Sequence, residues 1–339
     1  MNERELLAAA QQGDEDAFGR LVGPYRRELH AHCYRMLGSV PDAEDALQDA
    51  LLGAWKGLPR FEGRSSLRSW LYTITTNACL KAIQRRPKRV LPIDYGPASD
   101  PHDRPAEPVT ESVWVDPYPD EHLFVEDHAA TPEVRYEQRE SVELAFIAAL
   151  QHLPPRQRAV LILRDVLGFS ARETADTLDT KPTSVDSVLQ RAHKNVDARL
   201  PEQSQQAALR SLGDTELREI VDGYIEAWER ADIDTIVTML AEEATLDMPP
   251  YPSWYAGRDA VAAFLDAFPL AEGNRWRVVP TSANGQLAFG HYIWREQAGV
   301  FVPREISVLT LLGTQIEGIT IFRDPEALAR FGLPGQIEP

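Results

Sequence analysis

Eight prolines fall between residues 91 and 134 of this 339-residue chain. A proline lacks the backbone donor and collides with the preceding helical turn, so no continuous helix or central strand passes through that stretch. The stretch holds 11 Asp+Glu against one Lys+Arg, a composition that favours solvation over burial. It reads as a mobile acidic linker with one aromatic segment, "ESVWVDPYPD" (111–120).

Both flanking blocks read as helical. Phe18, Leu21, Val22, Tyr25 and Leu29 recur at spacings of three and four, as do Ala43, Ala46, Leu47, Ala50, Leu51, Ala54 and Trp55. Between them, "GSVPDAED" is a turn into a helix with an acidic first turn. A third helix is predicted from about Ser66 to Arg86, stopping before Pro87. Past the linker, "FSARETADTLDTKPTSVDSVLQRAHKNV" (169–196) has a helix-turn-helix pattern. Ser170 and Glu173 form a capping box, "DTK" turns the chain, and Pro182 suits a first helical turn. Val185, Val188, Leu189, Ala192 and Val196 make the buried stripe, leaving Ser184, Ser187, Gln190, Arg191 and Lys194 outside. An ordinary helical hairpin shares part of this pattern, but cap, turn length and polar outer face together fit a DNA-reading pair.

From about residue 214 amphipathic helices give way to strand-like runs, "ATLDM", "RWRVVP", "LAFGHYIWRE", "ISVLTLL" and "IEGITIF". Helices followed by a meander indicate an α+β domain with helices on one side of a curved sheet. The chain exceeds one ordinary core, so two or three domains are expected. No run reaches membrane-spanning length and the N-terminus is not a signal peptide, which points to a cytoplasmic protein without membrane contact. Cys33 and Cys79 give no disulfide framework. His30, His32 and Cys33 look like a metal cluster, but on a helix the two histidines point about 200° apart, so neither metal nor cofactor is expected. Charge is unevenly spread around a net of −17. Residues 1–90 hold 14 Lys+Arg and 11 Asp+Glu, residues 135–200 hold 10 and 9, and residues 201–339 hold 10 and 21. A polyanion partner therefore fits the helical blocks alone. The run Arg85-Arg86-Pro87-Lys88-Arg89 closes a helix carrying aromatic and Thr/Asn groups. That mixture suits an unpaired nucleic-acid strand, although the macrodipole alone favours a basic helix end.

These motifs carry a resemblance. "DAEDALQDALLGAW", "FEGRSSLRSWLYTITTNACLKAIQRR", "LPPRQRAVLILRDVLGFSARETADTL" and "PTSVDSVLQRA" resemble the two conserved domains of the sigma-70 family, in its extracytoplasmic-function group. "LDMPP", "YAGRDAVAAFL" and "FGLP" resemble the SnoaL-like domain of the nuclear-transport-factor-2 fold. The resemblance implies two all-α domains and an α+β cone: sigma region 2 at 1–95, an acidic linker at 96–134, sigma region 4 at 135–203 and a SnoaL-like domain at 210–335. The implied function is to bring core RNA polymerase to promoters, with no catalysis. The alternative is a helix-turn-helix regulator whose C-terminal domain binds a small ligand or acts as a cyclase or isomerase.

The resemblance also implies sites. The loop Phe61, Glu62, Gly63, Arg64, Ser65 would receive a flipped base of the single-stranded −10 element, with Phe61, Ile74 and Asn77 lining the pocket. Arg64, Lys81, Arg85 and Arg86 would hold its backbone, while Trp70, Leu71 and Ile74 also read as core by spacing. Asp42, Glu44, Asp45, Gln48 and Asp49 would form an outer face docking on the clamp of the polymerase largest subunit, though a solvated acidic face has the same composition. Lys181, Ser184, Ser187, Gln190, Arg191 and Lys194 would meet the −35 duplex, with Arg191 on guanine or phosphate; Asp186 stands where many relatives are basic. In the C-terminal domain, Trp228, Asp247, Tyr251, Trp254 and His291 are candidates for lining a pocket, with Asp247 and His291 able to supply acid/base chemistry or simply to form a satisfied polar pair. Trp114 and Tyr118 are out of place in a disordered spacer and are the expected latch of an intramolecular contact between the C-terminal domain and region 2 or the linker. Such a tethered domain would stand in for a separate anti-sigma protein.

Overall fold

Short side chains that accept from the first free backbone amides start most of the N-terminal helices. Asn2 and Glu5 box the start of α1 (Glu3–Gln11), and Asp14 caps α2 (Glu15–Val22). After α3 (Arg26–Leu37), Gly38 takes the left-handed conformation at φ +68°. Ser39 then caps α4 (Val40–Gly57) and Ser66 caps α5 (Leu67–Ile83). Each such cap contributes about 1 kcal/mol. The helix α4 turns Val40, Ala43, Ala46, Ala50, Leu51 and Ala54 inward. Gly53 and Gly57 let it lie close to α5, since a Cβ on either would sit 3.3 Å from Ile74 or Trp70. A short α6 (Pro92–Tyr95) follows, then α7 (Leu144–Gln151), α8 (Pro155–Leu161), α9 (Ala171–Thr177) and α10 (Pro182–Asp197).

This computed structural model describes residues 2–109, 113–122 and 140–339. Parts of the expected linker (110–112 and 123–134) and residues 135–139 of the second helical block lie outside the described residues. The chain forms two compact units. One gathers residues 2–89, 122, 140–141 and 145–200, and the other gathers 90–109, 113–121, 142–144 and 201–339.

The two helical blocks thus share one unit. Arg158, on α8 and 4% exposed, donates to the carbonyl oxygens of Met36, Gln151 and Leu153. Arg35 donates to the carbonyl and the hydroxyl of Ser141, at 3.2 and 2.9 Å. Tyr72 meets the edge of Phe169 with ring centroids 5.3 Å apart, and the hydroxyls of Thr73 on α5 and Thr177 on α9 are 3.1 Å apart.

In the second unit α11 (Gln205–Ser211), α12 (Asp214–Arg230), α13 (Ile233–Met239), α14 (Arg258–Ala267) and α15 (Ala327–Arg330) accompany a six-stranded sheet. Its strands are β1 (Leu240–Asp247), β2 (Trp254–Ala256), β3 (Trp276–Ala283), β4 (Gln286–Arg295), β5 (Val300–Leu312) and β6 (Gln315–Phe322). They are ordered β2-β1-β6-β5-β4-β3, with only the β1–β6 pair parallel. Tyr224 and Trp228 of α12 and Phe264 and Leu265 of α14 join the sheet's apolar face in one core. The run "ISVLTLL" is only the second half of β5. The strand begins six residues earlier, where Tyr292 pairs with Pro303 and His291 with Glu305. Arg304 is the extra residue of a β-bulge, a place where a ladder tolerates the missing donor of proline.

The linker departs most from expectation. Its described residues up to Glu121 are not a free spacer but part of the second unit. Val90 and the segment after residue 112 exchange backbone bonds, Val90 N to Val113 O at 2.9 Å and Val115 N to Val90 O at 3.1 Å. Ser99 N donates to Trp254 O, Val109 N to Pro250 O and Ala106 N to the Ser253 hydroxyl. Trp114, Val115 and Tyr118 are buried. Prolines keep the described helix here to the single turn of α6 but do not prevent docking, and Asp94, Asp100, Asp103 and Glu107 keep their charges exposed while the backbone pairs.

Candidate nucleic-acid interface

The loop before α5 is built on a fixed base. A 3-10 turn (Leu58–Arg60) ends at Phe61, and Gln11 Nε2 donates to the carbonyls of Leu58 at 3.3 Å and Phe61 at 2.9 Å. The Phe61 ring lies on Trp70 with centroids 4.9 Å apart. Gly63 has φ +69°, where a Cβ would strain the backbone. Glu62, Gly63, Arg64 and Ser65 are exposed, with Arg64 paired to Glu62 at 3.1 Å. Asn77, Lys81 and Arg85 are exposed at intervals of four, so they share one face of the helix that the loop leads into. Ile74 is half-buried with a methyl against α4 at Gly53, a packing position more than a free pocket wall.

Two expected sites meet each other. Arg86 is ion-paired to Asp42, and to Asp45 at 3.2 Å. Asp42 also binds Arg89 and is 8% exposed. Asp42 is therefore not on an outer face, and Arg86 is not an uncommitted cation. The partners lie over 40 residues apart, beyond the reach of helical periodicity. Glu44, Asp45, Gln48 and Asp49 remain exposed. They are continued by Leu52, 50% exposed, which sequence reasoning missed because it resembles the buried leucines around it.

The helix-turn-helix follows its local signals. Ser170 and Glu173 cap α9 reciprocally, and Asp179 takes φ +48° in the turn. Lys181, Ser187, Gln190, Arg191 and Lys194 are exposed along α10, as is Asp186; Ser184 is half-buried, its carbonyl accepting from the Ser187 hydroxyl at 3.0 Å. His193 is held to Asp165 at 2.9 Å, fixing the far end of the helix.

The C-terminal candidates scatter. A cavity of about 640 Å³ lies in the second unit, and of the five candidates only Tyr251 lines it. Trp228 is fully buried, its ring 4.4 Å from that of His291. His291 Nε2 meets the Ser307 hydroxyl at 2.8 Å, and burial pushes its pKa down to about 3. Asp247 accepts from Thr320 at 2.9 Å, and burial pushes its carboxyl up to about 7. Trp254 donates its indole N–H to Gly96 O at 2.8 Å and so holds the linker. In the first block, His32 Nε2 lies 2.9 Å from the Thr76 hydroxyl inside the helical core, a packing role.

Residues 21–89 match the family model of Sigma-70 region 2, residues 143–196 that of Sigma-70, region 4, and residues 221–323 that of the SnoaL-like domain. Over 333 residues the chain is 41% identical to the ECF RNA polymerase sigma factor SigG of Mycobacterium tuberculosis, covering 97% of this chain and 86% of that protein. It is 32% identical over 191 residues to the ECF RNA polymerase sigma factor SigM of M. tuberculosis, covering 56% of this chain and 81% of that one. The crystal structure of the M. tuberculosis extracytoplasmic function sigma factor SigJ shares the fold, with a TM-score of 0.56 at 20% identity over 91% of this chain and 97% of that one.

Proposed function

Because the chain belongs to the extracytoplasmic-function RNA polymerase sigma factors, proteins that direct core polymerase to promoters, we propose how its surfaces divide that work and how it is restrained. The loop at Phe61–Ser65, with Asn77, Lys81 and Arg85, holds the unpaired −10 strand. The exposed row of α10 enters the −35 major groove. Glu44, Asp45, Gln48, Asp49 and Leu52 dock on the polymerase clamp, the leucine giving an apolar anchor inside an acidic rim.

The free chain is closed. What carries this reading is the clasp of Arg158, Arg35 and the Thr73–Thr177 pair, which holds the two reading surfaces in one unit. Elements at −35 and −10 lie about 25 base pairs apart, or about 85 Å at ~3.4 Å per base pair. A unit of about 150 residues is roughly 40 Å across. It cannot span both elements, so engagement requires the clasp to open. The second unit, with Trp114 and Tyr118 docked in it, regulates that opening rather than catalysing a reaction. The enclosure of Asp247 and His291 away from the cavity supports this.

Spin labels at Gln84 and Asp197, both exposed and outside the assigned contacts, provide the test. Their separation in the free chain should rise to well over 50 Å when core polymerase and promoter are added, alongside promoter-specific run-off product. A long distance in the free chain rejects the closed state; absence of specific product rejects the surface assignments.

A further inference from the structure

The cavity of about 640 Å³ falls within the range of about 300–1,000 Å³ usual for small-molecule sites. Its wall is apolar and largely aromatic, with Met248, Phe264, Phe268, Trp276 and Ile293. Its charges are four arginines, Arg104, Arg295, Arg304 and Arg323, against one acid, Glu305. This inverts the surroundings. Residues 201–339 hold 21 Asp+Glu against 10 Lys+Arg, and Arg104 is the single base of residues 91–134.

The backbone accounts for the inversion. Successive strand residues face opposite sides of a sheet. The bulge in β5 breaks that alternation, so Arg304 and Glu305 both line the cavity. Glu305 is 4% exposed and is committed to Arg323 at 3.3 Å. Arg323 in turn lies over the Tyr251 ring, 4.8 Å from its centroid. The side chains of Arg295 and Arg304 have no hydrogen-bond or ion-pair partner among the described residues. Arg304 is half-buried, and burial, with Arg323 and Arg295 beside it, pushes its pKa below the usual guanidinium value against the opposing pull of Glu305 and Tyr251. A desolvated cation among like charges is costly until an anion joins it.

We infer that this cavity binds an amphipathic organic anion, with its apolar or aromatic body on Phe264, Phe268 and Trp276 and its acid group between Arg304 and Arg295. Guanidinium groups take carboxylate, sulfonate or phosphate oxygens in pairs, which sets the chemical class. Arg104 reaches the same group from the linker. Ligand binding therefore ties residues 104–105 to the sheet and gives the regulatory unit an input of its own. The inference goes beyond the promoter reading and is measured without polymerase.

The test uses the full-length protein and two fluorescent probes of matched shape, anionic 1-anilinonaphthalene-8-sulfonate and neutral N-phenyl-1-naphthylamine. The anionic probe should bind at one site per chain. Arg304→Gln with Arg295→Gln should weaken it at least tenfold while changing the neutral probe less than twofold. Arg104→Gln, on a segment outside the sheet, gives a second arm should the double variant not fold, with at least threefold weakening of the anionic probe alone. Equal weakening of both probes, or none in either arm, overturns the proposal.

Discussion

Tyr118 and Asn284 exchange two hydrogen bonds. The Tyr118 backbone N–H donates to Asn284 Oδ1 at 2.8 Å, and the Asn284 N–H donates to the Tyr118 carbonyl at 2.9 Å. The Asn284 amide also donates to Val142 O at 2.7 Å, so one side chain fastens two separate segments to the β3–β4 turn.

Asn284→Gly should undo this fastening without straining the turn, since φ at Asn284 is already +57°. Each buried backbone group left unpaired costs about 1–3 kcal/mol. Amide exchange at Tyr118 and protease cleavage within residues 90–121 should both increase. Promoter output should move in the same direction as on removal of residues 205–339. Unchanged protection at Tyr118 would place the hold elsewhere.

Phe61→Ala and Asn77→Ala should each impair promoter melting while leaving core binding intact, because Phe61 opens the loop, Asn77 is exposed on the helix that follows it, and neither lies on the acidic face of α4. Permanganate reactivity of the melted strand reads this directly. Wild-type reactivity in both variants would remove the loop from −10 recognition.

Leu52→Asp and Asp42→Ala should separate two roles that the sequence ran together. The first should weaken core polymerase binding about tenfold, as loss of an interface anchor does, with little effect on melting temperature. The second removes the carboxylate paired with the buried Arg89 guanidinium and with Arg86, and should cost up to about 3–5 kcal/mol of stability. Calorimetry and a core-binding titration distinguish the two.

Arg191→Ala should cost about 1–3 kcal/mol at a promoter with an intact −35 element if the contact is bidentate to a base. An equal loss on scrambled duplex would make it a phosphate contact.

Asp247 sets a pH dependence. Burial raises its carboxyl from 3.8 to about 7, with Thr320 working against the rise. Below pH 4 the carboxyl is protonated in both folded and unfolded chain. Between pH 4 and 7 only the unfolded chain ionises, so stability falls as pH rises, and above 7 the loss is complete. Asp247→Asn keeps an acceptor for Thr320 and cannot ionise. Its advantage in thermal melts should grow across that window to on the order of 1–4 kcal/mol, at about 1.36 kcal/mol per pKa unit. A difference independent of pH would mean that the folded carboxyl is already charged.

What the sequence made legible was local. The Ser170–Glu173 box, the turn before Pro182, the α4 stripe and most strands follow from spacings of two to four residues, and all are present. What stayed hidden depends on partners far along the chain. Asp42 looked exposed because Arg86 and Arg89 are not helical neighbours of it. Trp254 looked like a pocket wall because nothing local announces Gly96. The linker's prolines left only short helical turns among its described residues, and they said nothing about the loops whose carbonyls would take its N–H groups. Arg304 lies in a run that alternation assigns to one face, and the bulge that redirects it is written in the pairing of β4 with β5.

The docked linker also has a consequence in time. Tyr118 leaves the ribosome 166 residues ahead of Asn284. At about 5–20 residues per second, that is a delay of about 8–33 s. Both helical blocks are complete within that interval, while the surface that receives Tyr118 does not yet exist. Under the restraint proposed above, each newly made molecule therefore passes through a brief period in which both helical blocks have been made and that restraint is still being synthesised.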